Sequence, residues 1–398
     1  MDLTSLYIHI PFCVHRCGYC DFNTYAGLEG LIPAYTEGVI RELVYLSPVA
    51  HDIQIHTIYF GGGTPSILHS NHVAAILSTT TDNFSCSPSL EITLEANPGT
   101  VSEGYLCQIR QAGVNRLSLG MQSADPGELL MLERQHSFTD VIKAVKWAYQ
   151  AGFTNLNLDL IFGLPGQSLE SWQASLEAAL ALQPQHLSLY ALTLEHGTPL
   201  HHKVAVGILP EPDPDLAADM YEVARDRLQL MGYDHYEISN WAGHNMAGEV
   251  FACLHNIQYW RGLPYLGVGA GAHGYINHCR TVNVAAPNAY IQRMRNGITS
   301  LDESDKAPAT PATIQASLLD DGTEMGEYMM MGLRLLVEGI SDGAFYQRFN
   351  RHLEDQYAPQ IGRLVSIGLL EWASDSEKSL RLTRRGQLLG NQAFKEFI

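Results

Sequence analysis

Positive charge is scarce in this sequence. Its 398 residues carry 24 Lys+Arg against 42 Asp+Glu, a formal net charge of −18 at pH 7. Phosphate backbones are held by clustered cations, so general nucleic-acid binding is excluded as a main role. Long apolar runs are missing as well: no uninterrupted stretch reaches the roughly 18 apolar residues of a membrane-crossing helix. The opening residues Met1-Asp2-Leu3-Thr4 lack the basic and apolar regions of a signal peptide and pass straight into a strand-like segment. A cytoplasmic, reducing setting is therefore expected, with membrane contact peripheral at most. The seven cysteines, an odd number, argue against a disulfide framework and for thiols or metal ligands. Internal repeats and low-complexity tracts are not seen.

What is present suffices for a real core. Hydrophobic residues make up 46% of the chain and charged residues 17%, which excludes a disordered chain. At roughly 100–200 residues per domain, the length allows one large α/β domain and a smaller companion. Strand-like runs fall at 6–10, 57–60, 91–95, 116–120, 155–161 and 186–192, with helical patterns such as 139–150 and 169–182 between them. This alternation predicts parallel βαβ units, six of them sharing one core: a partial (β/α)6 barrel.

In barrels of this kind function gathers at the C-terminal ends of the strands, and the polar segments fall there. Gly61-Gly62-Gly63-Thr64 follows the second run. Three glycines allow close backbone approach to a ligand, although an ordinary βα turn also uses glycine. Glu95 ends the third run, either as a surface charge or facing a ligand. Gln122 follows the fourth, and Arg134 comes twelve residues later. Asp159 lies inside the apolar run 156–161, where a carboxylate must meet a ligand, a hydrogen bond or a cation; Arg134 is the candidate cation.

Four cysteines, Cys86, Cys107, Cys253 and Cys279, are scattered and read as small buried hydrophobes. The other three form Cys13-Val-His-Arg-Cys17-Gly-Tyr-Cys20, directly after the first strand. Three thiolates so spaced can wrap a compact cluster. A structural zinc site would want a further ligand, and no second paired motif supplies one; His15 could, but it reads better as facing solvent. An iron–sulfur cluster held by only three cysteines leaves one iron open to a substrate.

The cysteine loop, with Tyr19 before its last cysteine, resembles the cluster loop of the radical S-adenosylmethionine (SAM) superfamily. That resemblance implies a [4Fe–4S] cluster on Cys13, Cys17 and Cys20, with the remaining iron chelated by the methionine end of SAM. It also implies that one electron from the cluster cleaves SAM to methionine and a 5′-deoxyadenosyl radical, chemistry the cofactors carry and the protein positions. A narrower match, over about residues 5–290, is to the coproporphyrinogen dehydrogenase-like group. It is carried by Tyr7-Ile-His-Ile-Pro-Phe-Cys13, GGGTPS, Glu95, Gln122, Arg134 and Asp159-Leu-Ile-Phe-Gly-Leu-Pro. By that match Tyr7, Tyr19, Gly62, Gly63, Thr64, Glu95, Gln122, Arg134 and Asp159 line the SAM pocket.

The group holds functions of two classes: an oxygen-independent coproporphyrinogen III oxidase and HemW-type haem chaperones. Where the oxidase branch has a further cysteine two positions after the third, this chain has Phe22. The N-terminal extension of the oxidase has no counterpart before the first strand. His255-Asn256-Ile257-Gln258-Tyr259-Trp260 matches an HNxxYW motif that resembles the chaperone's haem-binding segment. A histidine can ligate iron while Tyr and Trp offer flat faces to a macrocycle, so His255, Asn256, Tyr259 and Trp260 are the expected haem site. A hydrogen-bonded structural histidine in an aromatic flank would give the same sequence. The chaperone reading implies haem as cargo, a haem donor, and haem-accepting membrane proteins of the respiratory chain as partners. By the same resemblance, cluster and SAM control homodimerisation or haem release. A radical SAM enzyme of this group with another substrate is the third reading.

Residues 1–300 thus make the barrel with cluster, SAM and haem sites. Residues 301–323, with Pro308 and Pro311 among polar residues, read as a linker. Residues 324–398 give a helix–helix–helix–hairpin pattern that resembles a winged helix. Residues 320–398 hold 12 acidic against 9 basic residues, which favours a packing or partner-binding module over a DNA-binding one.

Overall fold

A computed structural model describes residues 2–48, 53–297, 308–373 and 378–398. Strands and helices alternate as β1 (Asp2–Ile10), α1 (Ile32–Leu46), β2 (Ile53–Gly62), α2 (Ser70–Asn83), β3 (Cys86–Ala96) and α3 (Glu103–Gln111). They continue through β4 (Arg116–Gln122), α4 (Phe138–Gln150), β5 (Leu156–Phe162), α5 (Leu169–Leu180), β6 (His186–Ala191) and α6 (Pro214–Leu230). Strands β1 to β6 pair in parallel, in order. Next come β7 (Asp234–Glu237) and β8 (Asn240–Ala242), which extend the sheet antiparallel from β6.

A short helix, α7 (Leu254–Trp260), precedes β9 (Tyr265–Val268), β10 (His273–Ile276) and β11 (Cys279–Asn283). Strand β9 pairs in parallel with the free side of β1, so seven parallel strands stand where the sequence predicts six. Four residues outside the regular alternation carry too little periodicity to show themselves. After α8 (Pro287–Asn296), β12 (Thr313–Leu318) closes the twelve-stranded order β12-β11-β10-β9-β1-β2-β3-β4-β5-β6-β8-β7. Of the expected linker, 301–307 lie outside the described residues, while Thr313–Leu318 is an edge strand on β11.

The two faces of the parallel strands differ. Leu117, Leu119, Leu156, Leu158 and Leu160 are buried in the outer layer with α4 and α5. Arg116, Ser118, Asn157 and Asp159 face the lumen instead. A parallel strand between two apolar layers reads as a continuous hydrophobic run; here the period-two alternation survives because the inner face is a ligand cavity. The outer helices start from side-chain caps: Ser137 and Asp140 form a capping box on α4, and Ser102 and Ser168 cap α3 and α5. On α4, Val141, Ala144, Val145 and Ala148 form the buried stripe.

The C-terminal unit comprises α9 (Asp321–Gly332), β13 (Ile340–Ser341), α10 (Asp342–Phe349), α11 (Leu353–Ser366), β14 (Leu370–Trp372) and β15 (Ser379–Leu382). Its small sheet runs β13-β15-β14, and Met325, Met329, Phe345, Leu364 and Leu380 make a core of its own. This is the winged-helix-like arrangement expected from the sequence. It is tied to the barrel by backbone bonds Ile238 N–H to Arg334 O (3.2 Å) and Leu336 N–H to Tyr236 O (3.0 Å). No helix among the described residues is long and apolar enough to cross a membrane.

Candidate functional site

The C-terminal ends of the strands open into a cavity of about 450 Å³, within the usual range for small-molecule sites. Cys13, Cys17 and Cys20 stand at its mouth; Tyr19, Gly62, Gly63, Thr64, Glu95, Gln122, Arg134 and Asp159 line its walls. The sequence separates these residues widely, and the strand order brings them together.

The glycine segment runs beneath the cysteine loop. Gly63 N–H donates to Ile10 O (2.9 Å) and Thr64 N–H to Phe12 O (2.8 Å). A Cβ at position 63 would lie 2.6 Å from Phe12 O and 3.1 Å from Cys13 Sγ, so only glycine fits. Gly62 has φ +113°, and a side chain there would strike the His9 ring. Each thiol has its own polar neighbour. Thr64 Oγ1 donates to Cys13 Sγ (3.5 Å), Arg134 Nη1 to Cys17 Sγ (3.4 Å), and Thr24 Oγ1 lies 4.0 Å from Cys20 Sγ. Burial holds the Cys13 and Cys20 thiols above their ordinary range, against the pull of hydrogen bonds from Thr64 and the Phe22 backbone. Metal binding would deprotonate them. Among the described residues no three His, Cys, Asp or Glu side chains converge on a single-ion site. Three separately anchored thiols around one cavity suit a multi-iron cluster, in which each reaches its own iron. His15 is exposed, as expected, with Nε2 3.6 Å from Glu133 Oε2.

Glu95 accepts from Tyr59 Oη (2.8 Å) and Gly62 N–H (3.2 Å). Burial, against those bonds and with help from Asp159, pushes its carboxyl up to about 7. Gln122 adopts a left-handed backbone (φ 66°) and its amide folds back over Gly120. Asp159 accepts from Ser118 Oγ (3.0 Å) and Asn157 Nδ2 (2.8 Å). Contrary to the expectation from the sequence, Asp159 does not pair with Arg134. Arg134 gives Nη1 to Cys17 and Nη2 to Gly120 O (3.1 Å), while Ser118 on the adjacent strand and Asn157 two residues back on its own strand already satisfy Asp159. Tyr7 stands one row back: its hydroxyl meets His9 Nδ1 (3.1 Å) and its ring lies beside Tyr59 (6.2 Å).

The HNxxYW segment forms α7, which plugs the floor of the barrel. Gln258 Nε2 donates to Leu3 O (2.9 Å) and Pro264 O (2.8 Å), and the backbone N–H groups of Leu254 and His255 reach Glu91 (3.3 and 3.2 Å). His255 is buried with both ring nitrogens engaged, Nδ1 at Thr57 Oγ1 (2.7 Å) and Nε2 at Tyr259 Oη (3.0 Å). Burial drops it to about 3, so it is neutral. Trp260 lies under the Arg334 guanidinium (5.0 Å), between barrel and C-terminal unit. Only Asn256 of the four expected haem residues lines the cavity. Cys253 is buried against Glu91, and burial pushes its thiol up to about 12.

The sequence matches the radical SAM superfamily model over residues 7–179 and the HemN C-terminal domain model over 319–389. It is 34% identical over 398 residues to the haem chaperone HemW of Bacillus subtilis, covering 100% of this chain and 99% of that one. The chain belongs to the HemW family. The HemW protein of Mycobacterium tuberculosis is 43% identical over 291 residues, 72% of this chain and 73% of that one. In fold, this HemW-family chain is similar to coproporphyrinogen III oxidase (HemN) of Escherichia coli. The TM-score is 0.80 at 22% identity, covering 100% of this chain and 90% of that one.

Sequence reasoning passed over Arg116, Ser118, Asn157 and Tyr59, all of which line the cavity. The signal was there: Arg116, Ser118 and Gly120 alternate with Leu117, Leu119 and Met121. A polar phase of period two in a parallel strand marks a lumen-facing row.

Proposed function

We propose that this protein is a haem chaperone: a barrel that carries a [4Fe–4S] cluster and SAM, takes haem as cargo, and hands it to haem proteins of the respiratory chain. One observation carries the reading. The similarity to proteins named haem chaperone HemW runs the full length of the chain. Phe22, exposed at the cavity mouth where the oxidase branch has its further cysteine, agrees with it.

When bound, the cluster supplies one electron to SAM. The chain itself does the holding. Thr64 and Arg134 each place a donor on a cysteine sulfur and steady the negative charge of a metal-bound thiolate. Glu95, fixed by Tyr59 and Gly62, offers a carboxyl group to a cationic ligand. Tyr19 packs with Leu132, Ile161 and Leu200 beside the loop and keeps water from that side of the cavity. We place the protein in the cytoplasm, meeting membrane acceptors peripherally; the seven free cysteines support a reducing setting. A haem donor loads it, and the cluster-loaded form is a homodimer.

The test is anaerobic. Protein with its cluster rebuilt and SAM binding verified is given coproporphyrinogen III and a reductant. No protoporphyrinogen should form, whereas haem-loaded protein should pass haem to an apo-acceptor. Protoporphyrinogen formation would make the protein the oxidase instead.

A further inference from the structure

Arg116 is a buried cation without a hydrogen-bonded counterpart among the described residues. It opens β4, is 2% exposed, and forms no salt bridge or side-chain hydrogen bond among the described residues; its Nε is orphaned. Glu91 acts on it through space, but its oxygens are taken by the N–H groups of Leu254 and His255 and by the Cys253 thiol. The other lumen carboxyls are also committed, Glu95 to Tyr59 and Gly62, Asp159 to Ser118 and Asn157, and burial pushes both toward the neutral form. The amide oxygen of Asn157 already accepts from Ser188 and His186. A guanidinium left so in an interior is costly, because its donors forfeit water and gain nothing.

Arg116 does have one open direction. It lines the floor of the cavity, together with Asn256 from α7. We propose that Arg116, with Asn256, forms a carboxylate-binding subsite at the bottom of the barrel lumen. The guanidinium fork matches the two oxygens of a carboxylate, and a charge-assisted pair there would be shielded from water.

Two carboxylates come with the proposed function: the methionine carboxylate of SAM and a propionate of the tetrapyrrole. Strand β4 runs from Arg116 at the floor to Gln122 near the mouth, roughly 20 Å at about 3.3 Å per residue. The backbone of Arg116 thus starts at the end of the lumen opposite the cysteine loop, although its charge reaches Glu95 and Asp159, and that position favours a propionate on its flexible arm. The assignment of source, though not of the subsite, rests on the haem-chaperone reading.

The haem arm of the test uses cluster-loaded wild-type protein and modified ligands, so it does not depend on a variant folding. Haem is titrated against haem dimethyl ester, and SAM against decarboxylated SAM. At least tenfold weaker binding of the ester is expected. Decarboxylated SAM loses its carboxylate hold on the open iron in any case, so its deficit should be the same in wild type and in R116Q. R116Q should erase the haem difference by binding haem and its ester equally, and R116K, which keeps the charge but loses the fork, should fall between. If R116Q narrows the SAM difference while wild type binds haem and its ester alike, the subsite stands with SAM as its source. If wild-type protein binds no haem at all, the chaperone reading fails, and the effect of R116Q on the SAM pair alone decides the subsite. Equal binding of haem and its ester, with a SAM difference that R116Q leaves unchanged, overturns the proposal.

Discussion

His255 lies stacked on Tyr59, with ring centroids 4.9 Å apart and planes at 27°. Tyr59 in turn donates its phenolic proton to Glu95 at 2.8 Å. The segment that resembles a haem-binding motif is therefore wedged against the back of the cavity wall that faces the cysteine loop. Any movement of α7 reaches Glu95 through one aromatic ring.

Replacing His255 with Ala should destabilise the fold by about 2–4 kcal/mol, since a packed ring is lost, the Tyr259 hydroxyl loses its partner and the buried Thr57 hydroxyl keeps only Ser5. SAM binding should weaken as Tyr59 loosens. The Soret maximum of the haem-loaded variant should match wild type, because both imidazole nitrogens are already engaged. A displaced Soret band would make His255 an iron ligand and show that α7 leaves the floor when haem arrives.

Glu95 predicts a pH dependence with a definite sign. Burial raises its carboxyl from 4.5 to about 7. Between those values the folded protein holds a proton that the unfolded chain has released. This group's contribution to stability therefore falls as pH rises through that window and is level above it. Cationic SAM prefers the ionised form, and the ionised fraction drops about tenfold per unit below the pKa. SAM affinity should thus climb between about pH 6 and pH 8, and E95Q should bind weakly with a flat profile. Titration of both proteins across that range decides it; a flat wild-type profile would remove Glu95 from the ligand's surroundings.

Glu42 on α1 is a buried carboxylate that ties distant segments together. It accepts from Gly269 N–H (2.8 Å), Asn283 Nδ2 (2.7 Å), Tyr290 Oη (2.7 Å) and Thr310 Oγ1 (2.8 Å). Glu42→Ala takes this acceptor from all four, leaving the Gly269 N–H and Tyr290 hydroxyl without one while Asn283 keeps Gly269 O and Thr310 keeps Thr313, and should cost about 3–5 kcal/mol. Urea unfolding followed by circular dichroism would show a lower midpoint. An unchanged midpoint would mean that water replaces the carboxylate there.

How far the sequence was legible depended on whether a signal was local. The six barrel strands carry apolar runs between turn residues, and their limits agree with the sequence within a few residues. Spacing alone marked Cys13, Cys17 and Cys20, and the third glycine of a strand-end triplet marked Gly63. Partnerships across strands were not legible. Asp159 looked as if it needed Arg134, yet Ser118 and Asn157, neutral residues with no individual signature, satisfy it. Likewise nothing in HNxxYW says whether its histidine faces a ligand or a Thr–Tyr pair; tertiary placement alone decides.

Gly63 gives the sharpest test of how the mouth is built. A methyl group at this position meets the Phe12 carbonyl at 2.6 Å and the Ile10 carbonyl at 2.9 Å, and both are backbone atoms that cannot swing away. The same methyl lies 3.1 Å from Cys13 Sγ, so the strain is relieved by lifting the cysteine loop. Gly63→Ala should therefore assemble little cluster, seen as loss of the brown absorbance after reconstitution, while far-ultraviolet circular dichroism stays near wild type. Gly104→Ala is the matched control: its Cβ meets nothing within 4 Å and sits in the first turn of α3. It should be neutral or stabilise by up to about 1 kcal/mol through helix propensity. Full cluster content in Gly63→Ala would show that the loop is held from elsewhere, and the close packing of Gly63 against Phe12 and Cys13 would lose its role in seating the thiols.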